Sequence, residues 1–478
     1  MDILLKEHYF HSLKVYYGYL PENSDSSEIL LLDRKEDLNK IKARKFKRER
    51  GKDYYCYDLK IADNKINIST NYFVGIDWFW QNGKHTIQVE PKINSTVYKH
   101  FEQLISLENE NLIDQVNANA EKNIFNNFYE KEVDCVAMLM EIISYPDVAK
   151  KTDQLLLIDW DSPQIKITQK QDLLTPFIII RFLKILQDIV RKGLKKSYYK
   201  VQDNLKNRFK GKILTAENIK RNIFKNNFTD TLCEYQVFGE NSIENRFLKK
   251  VFLFCVQYIE NDFSYFKNKK NIEWVINYIR PVFENINDEI NLNEIKNLKH
   301  NPFFKEYKEA IDMGHSILKK FSYNITKTTE QKIFTPPFWI DMPKMFELYI
   351  YAKLLKDNSN ISATELNHQF STYGNSLDFL ICSGKTKIVV DAKYKLQYNY
   401  KIIHDDIRQV AGYARLKKVK STPPIINDEE IACLIIYPNP DLQQDVSLNL
   451  ENLLNENNEI KAYHKVYKIG IPLPLIKP

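Results

Sequence analysis

The segment from Asn375 to Tyr394 constrains this chain more than any other stretch. It holds two β-rich runs on either side of Gly384 and Lys385. Glycine at the first position of a two-residue loop is a hairpin signal. With those residues in the loop, Ser383 faces Thr386, and counting back along both strands sets Asp378 opposite Asp391. Lys393 lies two residues beyond Asp391 and shares its side, because strand side chains alternate. The other side carries Leu377, Phe379 and Ile381 against Ala392, Val390 and Ile388, an unbroken apolar face. Register and burial pattern agree.

Two carboxylates placed directly opposite repel each other. A hard divalent cation such as Mg²⁺ removes that repulsion, since it takes oxygen ligands from one or two carboxylates, water and phosphate. Such an ion polarises a phosphate and activates a bound water. Lys393 stands where it can orient that water or offset developing negative charge. The plain alternative is an exposed hairpin with Lys393 as a surface partner, because short motifs also occur by chance.

Two flanking helices add candidates. Pro343 to Leu355 reads as a helix that begins at a proline. Phe346, Ile350 and Leu354 form its apolar stripe, and Glu347 at the stripe's edge is either a third metal carboxylate or a solvated glutamate. Asp405 to Leu416 reads as a second helix with acidic residues in its first turn. Gln409 and Tyr413 are four apart and share one face. A strand from Ile431 to Tyr437 follows.

The 478 residues are enough for two or three domains. Basic residues number 69 against 62 acidic ones, and the resulting +7 favours polyanion contact only mildly. The 27 phenylalanines and 29 tyrosines point to packed cores rather than disorder. Cys56, Cys135, Cys233, Cys255, Cys382 and Cys433 are scattered with no CxxC pair, which suggests reduced thiols rather than disulfides or a zinc ribbon. The first residues are too short and too acidic for a signal sequence. Leu173 to Val190 is the most apolar stretch, but Arg181, Lys184 and Asp188 interrupt it, so a buried helix is expected rather than a membrane span. A soluble cytoplasmic protein follows, with no membrane partner.

The expected architecture is α+β and multidomain. Residues 1–165 read as β-rich, with a hairpin of Asn71–Trp80 and His85–Ile93 joined by a turn at Gln81–Lys84. Lys40–Lys52 carries eight basic residues in thirteen. It fits a phosphate backbone, though such a run is more often a solvated edge or loop. Residues 166–330 read as helical: Leu183, Leu186, Ile189 and Val190 recur at helical spacing, Lys192–Lys200 forms a basic tail, and Asn241–Val256 is a second helix with Ser242 and Asn245 near its start. Residues 331–478 hold the hairpin. No GxxxxGK[ST] loop occurs, so no nucleotide site is expected in this chain.

The Asp378…Asp391-Ala392-Lys393 layout resembles the PD-(D/E)xK nucleases, and Gln409 with Tyr413 resembles the QxxxY signature of RecB-like members. The order helix, strand, strand, helix, strand is similar to the α/β core of that superfamily. Leu377, not proline, precedes the first aspartate. From about residue 70 to the end, the chain resembles the McrC family of McrBC-type modification-dependent restriction systems, including LlaJI-like relatives. The resemblance rests on Phe73–Ile76 with Ile87–Ile93, Leu205–Leu214, Asn218–Asn222, Cys233–Tyr235, Glu244–Lys249 and Trp339–Glu347. Residues 1–70 make the N-terminal part long for a minimal member.

This resemblance implies a Mg²⁺-dependent DNA endonuclease subunit, with Mn²⁺ able to substitute. Asp378, Asp391 and Glu347 would bind metal, with the Ala392 carbonyl as a further ligand. Lys393 would position the attacking water, and Gln409 and Tyr413 would support the site. An McrB-like AAA+ GTPase hexamer would recognise the double-stranded DNA. The McrC-like chain would dock on it, stimulate GTP hydrolysis through its N-terminal part and cut foreign DNA carrying modified cytosine through its C-terminal domain. A non-catalytic activator of an AAA+ motor and a stand-alone repair nuclease are the competing functions.

Overall fold

The structure is a computed structural model and describes residues 2–7, 10–18, 29–32, 34–46, 54–62, 65–80, 85–94, 130–152, 155–168, 172–261, 270–290, 304–325, 332–362, 364–372, 375–394, 400–425, 431–439, 442, 444–460 and 462–475. The chain divides into two compact units, Met1–Ile167 with Phe334–Pro478, and Thr168–Ile333.

The first unit contains two five-stranded sheets. One runs in the order Asp2–Lys6, His85–Glu90, Phe73–Trp80, Phe338–Asp341, Leu156–Ile158. The expected N-terminal hairpin is present, with Gly75 opposite Val89. Its turn at Gln81–Lys84 lies outside the described residues. A four-stranded sheet of Ile29–Leu32, Phe10–Tyr17, Lys65–Thr70 and Tyr57–Ala62 shares the same apolar core.

The strand Phe338–Asp341 pairs with Phe73–Trp80 at Trp339↔Gly75. A Cβ on Gly75 would stand 2.0 Å from the Phe338 carbonyl oxygen. Gly75→Ala is therefore expected to force these strands apart and cost about 1–3 kcal/mol or more. Thermal unfolding of the purified variant checks this.

In the basic run, Arg44 turns inward. Its guanidinium reaches Asp77 at 2.6 Å and Asp159 at 2.7 Å, and Trp339 Nε1 donates to the same Asp77 at 3.0 Å. Arg44 thus ties the sheet together instead of facing solvent. Residues 47–53 lie outside the described residues.

The second sheet runs Leu366–Thr372, Asn375–Ser383, Thr386–Ala392, Ala432–Pro438, Val466–Ile471. The first three strands are antiparallel and the last three parallel. Its central strands are buried on both faces, as parallel strands covered by helices are. The helix Tyr400–Ala414 covers one face through Ile407, Val410 and Ala414 packed with Val389 and Cys433. The helix Met342–Asp357 covers the other, with Tyr351 against Phe379 at 5.8 Å.

Asp341 caps that second helix by accepting from the Lys344 N–H at 3.1 Å, and Pro343 sits in its first turn. The expected stripe of Phe346, Ile350 and Leu354 is buried, but so are Leu348, Tyr349 and Tyr351. The helix is enclosed because it also packs on the helix Cys135–Ile143.

The second unit corrects the helical reading of 166–330. It has the expected helices Leu174–Lys192 and Ile243–Asn261, with Lys270–Ile279 and Lys305–Ile325. It also has a three-stranded antiparallel sheet in the order Ser197–Lys206, Asp230–Gly239, Lys212–Ile213. The expected basic tail Lys192–Lys200 is broken at Gly193, whose φ of +88° ends the first helix, and it continues as a strand from Ser197. Positive φ is where glycine loses least. Among the described residues, no helix is long and apolar enough to cross a membrane, and all six cysteines are free and buried.

Candidate active site

The hairpin takes the expected register: Ser383 pairs with Thr386, and Phe379 with Val390. Gly384 has φ +59°, the left-handed value a glycine-first loop needs. The pairing ends at Phe379 and Val390, one step short of Asp378 and Asp391. The Asp378 carboxylate Oδ2 accepts the Ala392 N–H at 2.7 Å.

Beyond the strand, the Lys393 N–H donates to the Ile436 carbonyl at 2.8 Å, which fixes the backbone of the DxK turn. Lys393 Nζ lies 2.8 Å from Asp391 Oδ2. That ion contact is off hydrogen-bond alignment, so Asp391 Oδ2 is buried without an aligned donor among the described residues. Nζ donates to Gln409 Oε1 at 2.9 Å, and Gln409 Nε2 donates to the Tyr413 hydroxyl at 2.7 Å. Asp406 lies 4.0 Å from the same ammonium. The structure therefore joins Lys393, Gln409 and Tyr413 into one chain of contacts that starts at Asp391.

The supporting helix starts at Tyr400, not near Asp405. Asp405 and Asp406 consequently sit in its second turn, and the expected acidic first turn is absent. Asp406 gains a different place, buried and beside Lys393.

Glu347 comes from the helix on the opposite sheet face. Lys344 Nζ donates to both its oxygens, at 3.0 and 3.1 Å. His368 Nε2 stands 2.6 Å from its Oε1, and Gln369 Nε2 donates to that oxygen at 3.2 Å. A carboxylate only accepts, so the imidazole proton is on Nε2. The His368 ring stacks on Tyr351 at 4.7 Å. Among the described residues, no group of three His, Cys, Asp or Glu side chains is set to hold a metal ion.

The charges explain the protonation states. Burial, then the nearby charges of Glu347 and Asp391, push the Asp378 carboxyl well above the usual carboxylate range. Burial acts against the Lys393 ammonium, but Asp391, Asp406 and Asp378 more than offset it and raise it. Burial likewise opposes the Glu347 carboxylate, yet His368 and Lys344 outweigh it and hold it below the ordinary value. Burial keeps His368 neutral against the pull of Glu347.

A divalent cation fits this donor set. Burial and neighbouring negative charge raise the Asp378 carboxyl, and Asp391 has an oxygen without an aligned donor among the described residues. Two carboxylates are what Mg²⁺ commonly takes besides water and phosphate.

His368, Gln369, Lys344 and Asp406 were not among the expected site residues. Lys344 was signalled by its spacing, three residues before Glu347 on one helix. Gln369 carries no such signal. It falls at the gap in the pairing of Leu366–Thr372 with Asn375–Ser383, with φ +53°. A left-handed non-glycine residue is uncommon, and such strain clusters at functional sites.

The family described as McrBC 5-methylcytosine restriction system component matches residues 81–438. The match spans Glu347, the hairpin, Gln409 and Tyr413. The chain belongs to this family. No curated protein matches it. Among solved structures, it is similar to a chain from the refined half-complex of a tetradecameric assembly of Thermococcus gammatolerans McrB AAA+ hexamers with bound McrC. That similarity is 12% identity with a TM-score of 0.33, over 99% of this chain and 94% of that chain. It is also similar to a chain of the Thermococcus gammatolerans McrBC complex, at 14% identity and a TM-score of 0.26, over 76% of this chain and 89% of that one. Residues 1–80 of this family member lie before the matched region.

Proposed function

We propose that this chain is the DNA-cutting subunit of a McrBC-type restriction system, a Mg²⁺-dependent endonuclease acting in the cytoplasm on foreign DNA that carries modified cytosine. Its sheet and two covering helices are read as a PD-(D/E)xK core. The observation that carries this reading is the Lys393 ammonium, 2.8 Å from Asp391 and donating to Gln409.

Asp378 and Asp391 would hold the ion, with Glu347 as a third carboxylate drawn from its Lys344 and His368 contacts. Bound Mg²⁺, or Mn²⁺ in its place, would supply Lewis-acid polarisation of the scissile phosphate and a more acidic water. Lys393 donates a hydrogen bond to the attacking water and offsets the charge that builds on the phosphate. Gln409 fixes where Nζ points. The Tyr413 hydroxyl, already accepting from Gln409, keeps its proton for a phosphate oxygen.

An AAA+ GTPase partner of the McrB kind would supply the motor and target recognition, and this chain would stimulate its GTP hydrolysis. Family membership and the lack of a phosphate-binding loop in all 478 residues support that division. Mixing the chain with its partner, GTP, Mg²⁺ and methylated plasmid tests it. Strand breaks that need both proteins are expected. Stimulated GTP turnover without breaks would replace this reading with a non-catalytic activator, and breaks by the chain alone with a stand-alone nuclease.

A further inference from the structure

Tyr394 directly follows Lys393 and is buried. Its hydroxyl donates to Glu7 Oε2 at 3.0 Å. Glu7 follows the strand Asp2–Lys6 at the far end of the chain and is also buried, and its Oε1 has no hydrogen-bond partner among the described residues. The Thr70 hydroxyl donates to the Lys6 carbonyl at 2.6 Å, so the residue before Glu7 is pinned.

The Tyr394 ring packs against Phe346 at 5.8 Å and edge-on to Tyr72 at 6.2 Å. Phe346 precedes Glu347, and the Tyr72 carbonyl accepts the Met342 N–H at 3.1 Å, at the start of the Glu347 helix. One tyrosine thus adjoins Lys393 in sequence, touches the neighbour of Glu347 and bonds a carboxyl 387 residues away.

A buried acid is a costly way to hold a hydroxyl, since burying a polar group without full hydrogen bonding is unfavourable. An apolar side chain would fill the space without that cost. The groups around Glu7 are Tyr394 and Cys135, with Asp134 and Glu132 acting on Cys135. Burial, opposed in part by the Tyr394 hydroxyl, pushes the Glu7 carboxyl up to about 8. At neutral pH it is therefore a neutral hydrogen-bonding acid.

We infer that Glu7 is a positioning residue for DNA cleavage: through Tyr394 it sets the backbone from which Lys393 reaches Asp391 and Gln409. The N-terminal strand is then a working part of the cutting site. This rests on the proposed nuclease function and deepens it.

The test uses the full chain with its partner, GTP, Mg²⁺ and methylated DNA, and compares wild type, Glu7→Gln, Glu7→Leu and Tyr394→Phe. Single-turnover cleavage is followed from neutral to alkaline pH beside GTP turnover. Glu7→Gln retains a hydrogen bond to Tyr394 but does not ionise. The ratio of wild-type to Glu7→Gln rates is expected near one at neutral pH. Ionised Glu7 still accepts the Tyr394 hydroxyl, so the ratio is expected to stay near one as pH rises. Glu7→Leu is expected to lower cleavage about 10–100-fold, the usual effect of losing an outer-shell partner, with GTP stimulation unchanged.

A Tyr394→Phe chain, which loses the hydroxyl and keeps the ring, that cuts like wild type overturns the inference even if Glu7→Leu fails to fold. So does a folded Glu7→Leu that cuts like wild type. Wild-type cutting with unaffected variants removes only the role of Glu7. No cutting by wild type at any pH removes the nuclease reading and this inference with it.

Discussion

Asp391→Ala is expected to abolish strand cleavage while the chain still folds and still stimulates its partner's GTP turnover. Asp391 is 3% exposed and lies 2.8 Å from the Lys393 ammonium. Removing its carboxylate removes one of the two aspartate oxygen donors and the charge that fixes Lys393. The loss should exceed the roughly 10–100-fold that an outer-shell partner costs. The fold is expected to survive, because Lys393 keeps Gln409 and Asp406, and because the repulsion of Asp378 disappears. Plasmid nicking measured beside GTP turnover separates these effects. Cleavage by the variant at the wild-type rate would show that the cutting centre lies elsewhere.

Asp378→Asn is expected to inactivate the site and yet stabilise the metal-free protein. Burial and the charges of Glu347 and Asp391 raise the folded-state pKa of Asp378 above its unfolded value. The sign follows from linkage. The stability associated with the neutral carboxyl is fully present below the unfolded value, about 3.9. It is lost as pH rises from there through the folded value.

Asparagine cannot ionise, and its side-chain oxygen can still accept the Ala392 N–H. Its melting temperature without metal should therefore exceed that of wild type, by about 2–4 °C for each kcal/mol gained, with the gap opening as pH is raised from about 4. Mg²⁺ should raise the melting temperature of wild type through binding to the folded state and leave the variant unmoved. Calorimetry at several pH values with and without Mg²⁺ reads both effects. A variant less stable than wild type at neutral pH, or equally stabilised by Mg²⁺, would contradict the charge balance described here.

Much of this site was legible in the sequence because local rules and tertiary contacts agree there. Gly384 opens a tight loop, the apolar alternation runs unbroken on one side, and the register from Ser383 and Thr386 to Phe379 and Val390 follows from those two facts. Gln409 and Tyr413 share a helix face through their spacing alone.

What escaped depends on contacts between distant residues. The strand Leu366–Thr372 breaks its alternation at left-handed Gln369 and gains its order by pairing with the hairpin, so His368 gave no sign of meeting Glu347. The helix beginning at Tyr400 carries no acidic residue in its first turn, so Asp405 and Asp406 read as its start. In the second unit, Ser197–Lys206 alternates between half-buried and exposed rather than apolar and polar, so its lysines read as the tail of the preceding helix.

The central claim is that Asp378, Asp391 and Lys393 form a divalent-metal site that cuts DNA. Titration of Mg²⁺ into a cleavage reaction tests it most directly. The reaction holds wild-type chain, partner, GTP and methylated DNA, with GTP turnover recorded separately. The account predicts no strand breaks in chelator, a saturable rise in cleavage with Mg²⁺, and no cleavage by Asp391→Ala at any concentration. Breaks that persist in chelator, or a titration curve for Asp391→Ala that overlays wild type, would contradict it.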